Sequence, residues 1–146
     1  MNTILIIDDE KEICESIKMI LEYEGYSVDY STSATKGLAL LEEKLFSCLL
    51  LDIQMPEMSG FEVLKKVKEN YSSLSVIIIS AHGSIENAIK ATRLGAFDFI
   101  EKPIDRDKLL ISVRNAVEQV KLLTENIEIK KSLGVEGEIL GSSKGI

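Results

Sequence analysis

Short apolar runs alternate along this chain with longer stretches in which apolar residues recur every three or four positions. The runs cover residues 3–7, 27–30, 47–51, 75–79 and 97–100, and the second is the weakest. The third and fourth runs do not alternate with polar residues, which is typical of strands covered on both faces in a parallel sheet. Five strand–helix repeats predict a doubly wound α/β fold with a five-stranded parallel sheet over residues 1–118.

The balance of charged residues argues against two classes of partner. The chain has 24 acidic and 17 basic residues, which gives a net charge of −7 over 146 residues, and its isoelectric point is near 4.8. Such a chain does not bind nucleic acid or anionic membranes through its bulk charge. It has neither an apolar run of the roughly 18 residues that a membrane span needs nor a basic N-terminal leader, so we expect a cytoplasmic protein.

The two cysteines, Cys14 and Cys48, lie far apart, each within an apolar pattern. We interpret them as buried free thiols rather than as a disulfide or a metal-binding pair. Neither is assigned a function.

The character of the chain changes after residue 118. Apolar residues spaced alternately by four and three positions begin in the last predicted helix and continue beyond it: Leu109, Val113, Ala116, Val120, Leu123 and Ile127. Over residues 119–133 this pattern fits either a dimerising coiled-coil extension or one long amphipathic helix packed on its own domain, and Lys130 at the next position weakens the first interpretation. Residues 134–146, with several Gly and Ser, are expected to be a linker into the start of a further domain.

Polar residues follow the apolar runs at the points where the strands should end. Asp8 and Asp9 follow the first run, Asp52 the third and Ser80 the fourth, and Lys102 comes shortly after the fifth. The carboxyl ends of parallel strands meet at one edge of the sheet, where open α/β folds place their functional crevice. Each residue alone has an ordinary explanation as a helix cap, a turn former or a solvated charge. Their joint placement favours a site.

Three converging carboxylates indicate a hard divalent cation, because they repel one another unless they are protonated or neutralised. Mg²⁺ is the first candidate, since it binds through one or two carboxylates and keeps waters and phosphate oxygens in its other positions. Such a site suits phosphoryl transfer, with Asp52 as the nucleophile and Asp8 and Asp9 holding the metal. Lys102 and Ser80 would then bind the phosphoryl oxygens.

Four segments of the chain resemble the receiver domain of two-component response regulators: residues 4–10, 49–60, 79–83 and 95–103. The resemblance covers residues 1–118 and implies a sheet of order 2-1-3-4-5. It implies that a sensor histidine kinase donates a phosphoryl group to Asp52. It also implies that Mg²⁺ is bound by Asp8, Asp9, Asp52 and the backbone carbonyl of Gln54. It also implies that Lys102 contacts the acyl phosphate and that the bond from Lys102 to Pro103 is cis. The domain is then a phosphoacceptor limited to its own phosphorylation and dephosphorylation, not an enzyme.

In this family a hydroxyl residue and an aromatic residue couple phosphorylation to the surface, and the matching positions here are Ser80 and Phe99. Phe99 could equally be a permanently buried strand residue. The resemblance implies a homodimer through the fourth helix, fifth strand and fifth helix, switched by a population shift. Gln54 and His82 occupy positions that tune hydrolysis of the phosphoaspartate, and Ser59 stands where an aspartate is common.

A narrower resemblance, to NtrC-type activators and their NtrX branch, rests on residues 95–103, 122–126 and 138–143. It implies an output domain of the AAA+ ATPase type, beginning within residues 134–146, that activates sigma-54 RNA polymerase. Whether phosphorylation makes, breaks or remodels the dimer stays open.

Four other functions compete with this interpretation. A haloacid dehalogenase-type phosphohydrolase also uses an aspartate at a strand end, but it needs a second aspartate two residues later, where this chain has Gln54. A free-standing phosphorelay receiver and an interaction module that is never phosphorylated would keep the same fold. A nucleotide-binding domain is disfavoured because no Gly-rich loop follows the first strand.

Overall fold

The computed structural model describes the backbone of residues 2–81 and 83–133, and the side chains of that range as far as Gln119. Strands and helices alternate along it, in the order β1 (Thr3–Ile7), α1 (Lys11–Tyr23), β2 (Ser27–Ser31), α2 (Ala34–Glu43), β3 (Cys48–Asp52), α3 (Gly60–Asn70), β4 (Ser75–Ser80), α4 (Ile85–Arg93), β5 (Asp98–Glu101) and α5 (Arg106–Leu133). The five predicted strand–helix repeats are therefore confirmed.

The five strands form one parallel sheet of order β2-β1-β3-β4-β5, the fold class and strand order that the sequence predicted. The predicted strands ended one residue too soon at β2 and β4, and both limits were one residue early at β3 and β5. Pairing of Asp52 with Ile79 and of Ser80 with Glu101 carries the ladder past the apolar residues. Hydrophobic patterning cannot detect this extension, because backbone hydrogen bonds do not depend on side-chain polarity.

Helices cover both faces of the sheet, which explains why the central strands are continuously apolar. Along β1, Ile4 and Ile6 point into the core layer beneath α1 and α5, whereas Leu5 and Ile7 point into the layer beneath α2 and α3. This alternation follows from the two-residue period of a strand. With both layers filled, the polar residues at the strand ends have a rigid base.

Both cysteines are buried free thiols, as predicted. The Cys14 thiol donates a hydrogen bond to the carbonyl of Asp8 over 3.3 Å. Burial raises the pKa of each thiol to about 12, so both stay protonated at neutral pH and are poor nucleophiles.

Helix α5 packs against the sheet through the first part of the apolar repeat. Leu109, Val113 and Ala116 are fully buried in the core layer that α5 shares with α1, and the Ser75 hydroxyl donates to the carbonyl of Ala116 over 3.2 Å. Packing within the domain therefore accounts for these three positions. The later positions of the repeat and residues 134–146 lie outside the described side chains, so the coiled-coil extension and the following domain stay predictions. Among the described residues, none of the helices is long and apolar enough to cross a membrane.

Candidate functional site

The predicted site lies at the carboxyl edge of the sheet. Asp8 directly follows β1, Asp52 is the last residue of β3, and Lys102 directly follows β5. The amide of Lys102 donates to the carbonyl of Ser80 over 2.7 Å, which holds the end of β5 against the end of β4. The peptide bond between Lys102 and Pro103 is cis, as the family resemblance implied.

Lys102 brings the ends of β1 and β3 together. Its Nζ lies 3.0 Å from Oδ2 of Asp8 and 3.7 Å from Oδ2 of Asp52, and only 10% of its side chain is exposed. Asp8 and Asp52 are themselves buried, at 0% and 2% exposure. The structure thus places three of the predicted residues in one buried charged cluster.

A fourth charged residue, Glu10, was missed by the sequence analysis. Its Oε1 accepts a hydrogen bond from Lys102 Nζ over 3.1 Å. The available signal was its position directly after the Asp8–Asp9 pair, in the loop leading to α1. Lys102 therefore contacts three carboxylates, those of Asp8, Asp52 and Glu10.

Burial dominates the electrostatics of the two inner carboxylates. It raises the pKa of Asp52 from its ordinary value of 3.8 to about 7, against a hydrogen bond of 3.1 Å from the amide of Gln54. Burial also raises the pKa of Asp8, although the amide of Glu10 donates to its Oδ1 over 2.9 Å. For Lys102, burial opposes the charge, but the neighbouring carboxylates outweigh it and raise its pKa. One ammonium does not neutralise this group of acids.

The donor set fits a hard cation. Carboxylate oxygens of Asp8, Asp9 and Glu10 lie within 4.8 Å of one another. Within the described part of the chain, the buried Oδ2 of Asp8 accepts no hydrogen bond, and its contact with Lys102 is an ion pair. Oxygen ligands with an incompletely neutralised charge are what Mg²⁺ prefers. The predicted ligand set of Asp8, Asp9, Asp52 and the Gln54 carbonyl stays a prediction.

The predicted switch residues lie on neighbouring strands. Ser80 is the fully buried last residue of β4, and Phe99 is a partly buried residue of β5 that packs against the core layer beneath α2 and α3. Phe99 also lines a groove of about 660 Å³ between α4, β5 and α5. The Phe99 ring thus lies between this core layer and an open groove. His82 lies outside the described residues.

The loop from β3 to α3 is tightly folded. A Cβ added at Gly60 would lie 2.2 Å from the Cα of Ile53, so only glycine fits there, and the amide of Gly60 donates to the carbonyl of Ile53 over 3.1 Å. The hydroxyl of Ser59 caps α3 by accepting from the amide of Phe61 over 3.2 Å. Serine and aspartate are both good N-caps, which explains why Ser59 can replace the aspartate common in the family.

Comparison with known proteins identifies relatives of this chain and its fold. The sequence profile of the response regulator receiver domain matches residues 4–114. An NtrX-like response regulator from Rickettsia bellii is 42% identical over 142 residues, which is 96% of this chain and 30% of that protein. The crystal structure of NtrX from Brucella abortus in complex with ADP superposes with a TM-score of 0.86 at 35% identity, covering 98% of this chain and 32% of that one.

A third relative is a receiver domain by itself. The solution structure of the beryllofluoride-activated NtrC4 receiver domain dimer has a TM-score of 0.79 and 35% identity, covering 82% of this chain and 99% of that one. The chain spans about a third of the NtrX proteins that it matches. The strand order, the sequence profile and the identity to NtrX-like proteins agree: the chain belongs to the response regulator receiver domain family and is a signalling domain similar to those of NtrX and NtrC regulators.

Proposed function

We propose that Asp52 accepts a phosphoryl group from a sensor histidine kinase in a Mg²⁺-dependent reaction, and that phosphorylation switches a dimerisation surface. The observation that carries the proposal is the position of Lys102 Nζ, 3.0 Å from Asp8 and 3.7 Å from Asp52 at the edge of the sheet. A buried cation next to a buried nucleophile is suited to a reaction that delivers further negative charge.

The chemistry follows from the charges of the site. A carboxylate oxygen of Asp52 forms a bond to phosphorus while the bond from phosphorus to the imidazole nitrogen of a phosphohistidine breaks, and the released imidazole takes up a proton. Mg²⁺, when bound by Asp8, Asp9, Asp52 and the Gln54 carbonyl, supplies charge neutralisation at the phosphoryl oxygens. Lys102 favours the ionised nucleophile and then donates to a phosphoryl oxygen, together with the Ser80 hydroxyl.

The coupling to output uses the groove between α4, β5 and α5. Exposed apolar side chains line it on both helices, Ile85 on α4 and Ile111 on α5. Exposed apolar side chains grouped around one groove are typical of contact sites, and the related NtrC4 receiver domain has been solved as an activated dimer. We propose that movement of Ser80 and Phe99 alters this surface.

The attached output is part of the same proposal. Similarity over nearly the whole chain to NtrX proteins about three times its length supports a following ATPase domain that activates sigma-54 RNA polymerase. Recovering the complete reading frame would test this. A frame ending near residue 146 would instead favour a free-standing phosphorelay receiver.

The direct test is the intact mass of the protein after incubation with phosphoramidate, with and without Mg²⁺. Wild type should gain one phosphoryl group only with Mg²⁺, and Asp52→Asn should gain none. Asp29→Asn is the matched control, because Asp29 pairs with Lys44 at the far edge of the sheet and should be labelled normally. Elution volume recorded in parallel gives the effect on dimerisation. If wild type is not labelled under conditions that label another receiver domain, the interaction module without phosphorylation replaces this proposal.

A further inference from the structure

Glu57 lies in the loop between β3 and α3 but makes its hydrogen bonds to a different element. Its Oε1 accepts from the hydroxyl of Ser33 over 3.0 Å and from the amides of Ala34 and Thr35 over 2.8 and 3.4 Å. Its Oε2 accepts from the hydroxyls of Ser33 and Thr35 over 3.3 and 3.1 Å. Both carboxylate oxygens are therefore used to bind the N-terminus of α2, more than 20 residues earlier in the chain.

These contacts complete the cap of α2. Ser33 is the N-cap residue, and its hydroxyl accepts from the amide of Lys36 over 3.3 Å. The two preceding amides of the first turn, those of Ala34 and Thr35, have Glu57 as their acceptor. A negative charge is favoured there by the helix dipole. The hydrogen bonds from Ser33 and Thr35 lower the pKa of Glu57, so it is ionised at neutral pH.

The turn before α2 is also connected by hydrogen bonds to Asp8, a residue of the candidate site. The amide of Asp8 donates to the carbonyl of Ser31 over 3.2 Å. Ser31 is linked to Ser33 twice, through a hydroxyl-to-carbonyl bond of 2.7 Å and an amide-to-hydroxyl bond of 3.1 Å. A continuous set of hydrogen bonds thus runs from Asp8 through Ser31 and Ser33 to Glu57.

One end of this set, Asp8, belongs to the candidate metal site, and the other end, Glu57, lies close in sequence to the predicted ligand Gln54. Asp8 supplies a buried carboxylate, and Glu57 lies three residues after Gln54 in the same loop. Gly60 fixes the far end of that loop through its contacts with Ile53, so Glu57 and Gly60 together hold the segment that contains Gln54. A loop that is held at two points samples few conformations, so the positions of its carbonyl groups are restricted.

We propose that Glu57 is a positioning residue for the phosphoacceptor site: by holding the β3–α3 loop on the N-terminus of α2, it fixes the Gln54 carbonyl relative to the Asp8 carboxylate and thereby sets the affinity for Mg²⁺. The inference rests on the proposed function, since it assumes that the site binds this metal. The inference goes beyond the proposed function by assigning a role to an exposed residue that is not among the predicted metal ligands. Residues that orient metal ligands commonly change metal affinity when they are altered.

The test is the Kd for Mg²⁺, measured by calorimetry on the unphosphorylated chain. Glu57→Ala removes every acceptor and should raise the Kd about tenfold, the lower end of the effect seen for residues that orient ligands. Glu57→Gln retains one carbonyl acceptor but loses the charge, so its Kd should lie between those of wild type and Glu57→Ala. It also serves as the measured variant should Glu57→Ala fail to fold.

Ala39→Gly is the matched control. Ala39 is an exposed residue inside α2, and glycine there destabilises the helix without removing a contact of Glu57. If Glu57 positions the loop, Ala39→Gly should leave the Kd within about twofold of wild type, below the tenfold effect expected of a ligand-orienting residue. Equal Kd values for Ala39→Gly and Glu57→Ala would overturn the inference, because Glu57 would then act only on the stability of α2.

A second measurement does not involve the metal. Amide hydrogen exchange of the metal-free protein should be faster at Gln54 and Gly60 in Glu57→Ala than in wild type, and unchanged there in Ala39→Gly. Unchanged exchange at both amides in Glu57→Ala would overturn the inference. Phosphorylation of wild type is measured separately. If the proposed function is wrong, wild type is not labelled. If this inference is wrong, the Glu57 variants bind Mg²⁺ with the wild-type Kd.

Discussion

Lys102 Nζ lies 3.7 Å from Oδ2 of Asp52, and the two residues are delivered to this contact by different strands, β5 and β3. The pairing is not a surface ion pair, since the lysine side chain is 10% exposed and that of Asp52 is 3% exposed. In such a site charge is weakly screened. The ammonium therefore favours ionised Asp52 at rest and is already in place when a phosphoryl group arrives.

Replacing Lys102 should impair phosphorylation more than folding. Lys102→Met removes the ammonium but keeps most of the side-chain volume, so we expect labelling by phosphoramidate to slow about 100-fold, the usual effect of losing one electrostatic donor. Lys102→Arg should retain part of the rate, because it keeps the charge with a different geometry. The measurement is the time course of the intact mass. Labelling of Lys102→Met at the wild-type rate would contradict the role assigned to the ammonium.

The stability of the metal-free protein should fall as the pH rises from about 4 to about 7. Asp52 has a pKa of about 7 in the folded chain against an ordinary value of 3.8, so the folded state binds more protons than the unfolded state between these values. Its contribution to stability is complete below the ordinary pKa and is lost as the pH passes the folded one. The shift of Asp8 has the same direction. Urea unfolding in the presence of a chelator, at a series of pH values, measures this slope.

Asp52→Asn should flatten that pH dependence and stabilise the metal-free protein at pH 8. The amide fills the same space without a buried charge, so we expect the free energy of unfolding to rise by at least about 1.4 kcal/mol, the equivalent of one unit of pKa. Asp29→Asn, at the edge of the sheet, should leave both stability and slope nearly unchanged. If Asp52→Asn is less stable than wild type at pH 8, the buried carboxylate is not the source of the pH dependence.

The parts of the site that could be predicted from the sequence are those fixed by strand ends. Asp8, Asp52 and Ser80 each follow or end an apolar run, and a parallel sheet brings such positions to one edge regardless of the connecting loops. The Glu10 contact could not be predicted in this way, because it joins residues 92 positions apart through a flexible side chain. The Glu57 contacts depend on the path of a loop, which hydrophobic patterning does not specify.

The apolar repeat in the last helix shows a different limit of sequence reasoning. Leu109 and Val113 fit a coiled-coil pattern, but both are buried against their own sheet. An amphipathic helix that covers a sheet and one that pairs with a partner have the same apolar spacing over two turns. Only the position of the sheet distinguishes them.

Mg²⁺ should stabilise the folded chain by mass action. At a concentration ten times its Kd, a ligand that binds only the folded state adds about 1.4 kcal/mol to the free energy of unfolding. Asp8→Asn removes one charged oxygen ligand and should abolish most of this gain at the same concentration. Thermal unfolding with and without the metal gives the comparison, and Ca²⁺ in place of Mg²⁺ tests whether the effect is selective.

Phosphorylation should change the surface formed by α4 and α5, and charge placed on that surface should block the change. Ile85 is 80% exposed at the start of α4, beside the groove that Phe99 lines. In Ile85→Lys, labelling should proceed at the wild-type rate, because the residue does not contact the site, whereas the shift in elution volume on phosphorylation should be lost. Leu45→Lys is the matched control, since Leu45 is 95% exposed and lies between α2 and β3, away from the carboxyl edge of the sheet. Loss of the shift in both variants would indicate a general effect of added charge, while its retention in Ile85→Lys would place the dimer contact on another surface.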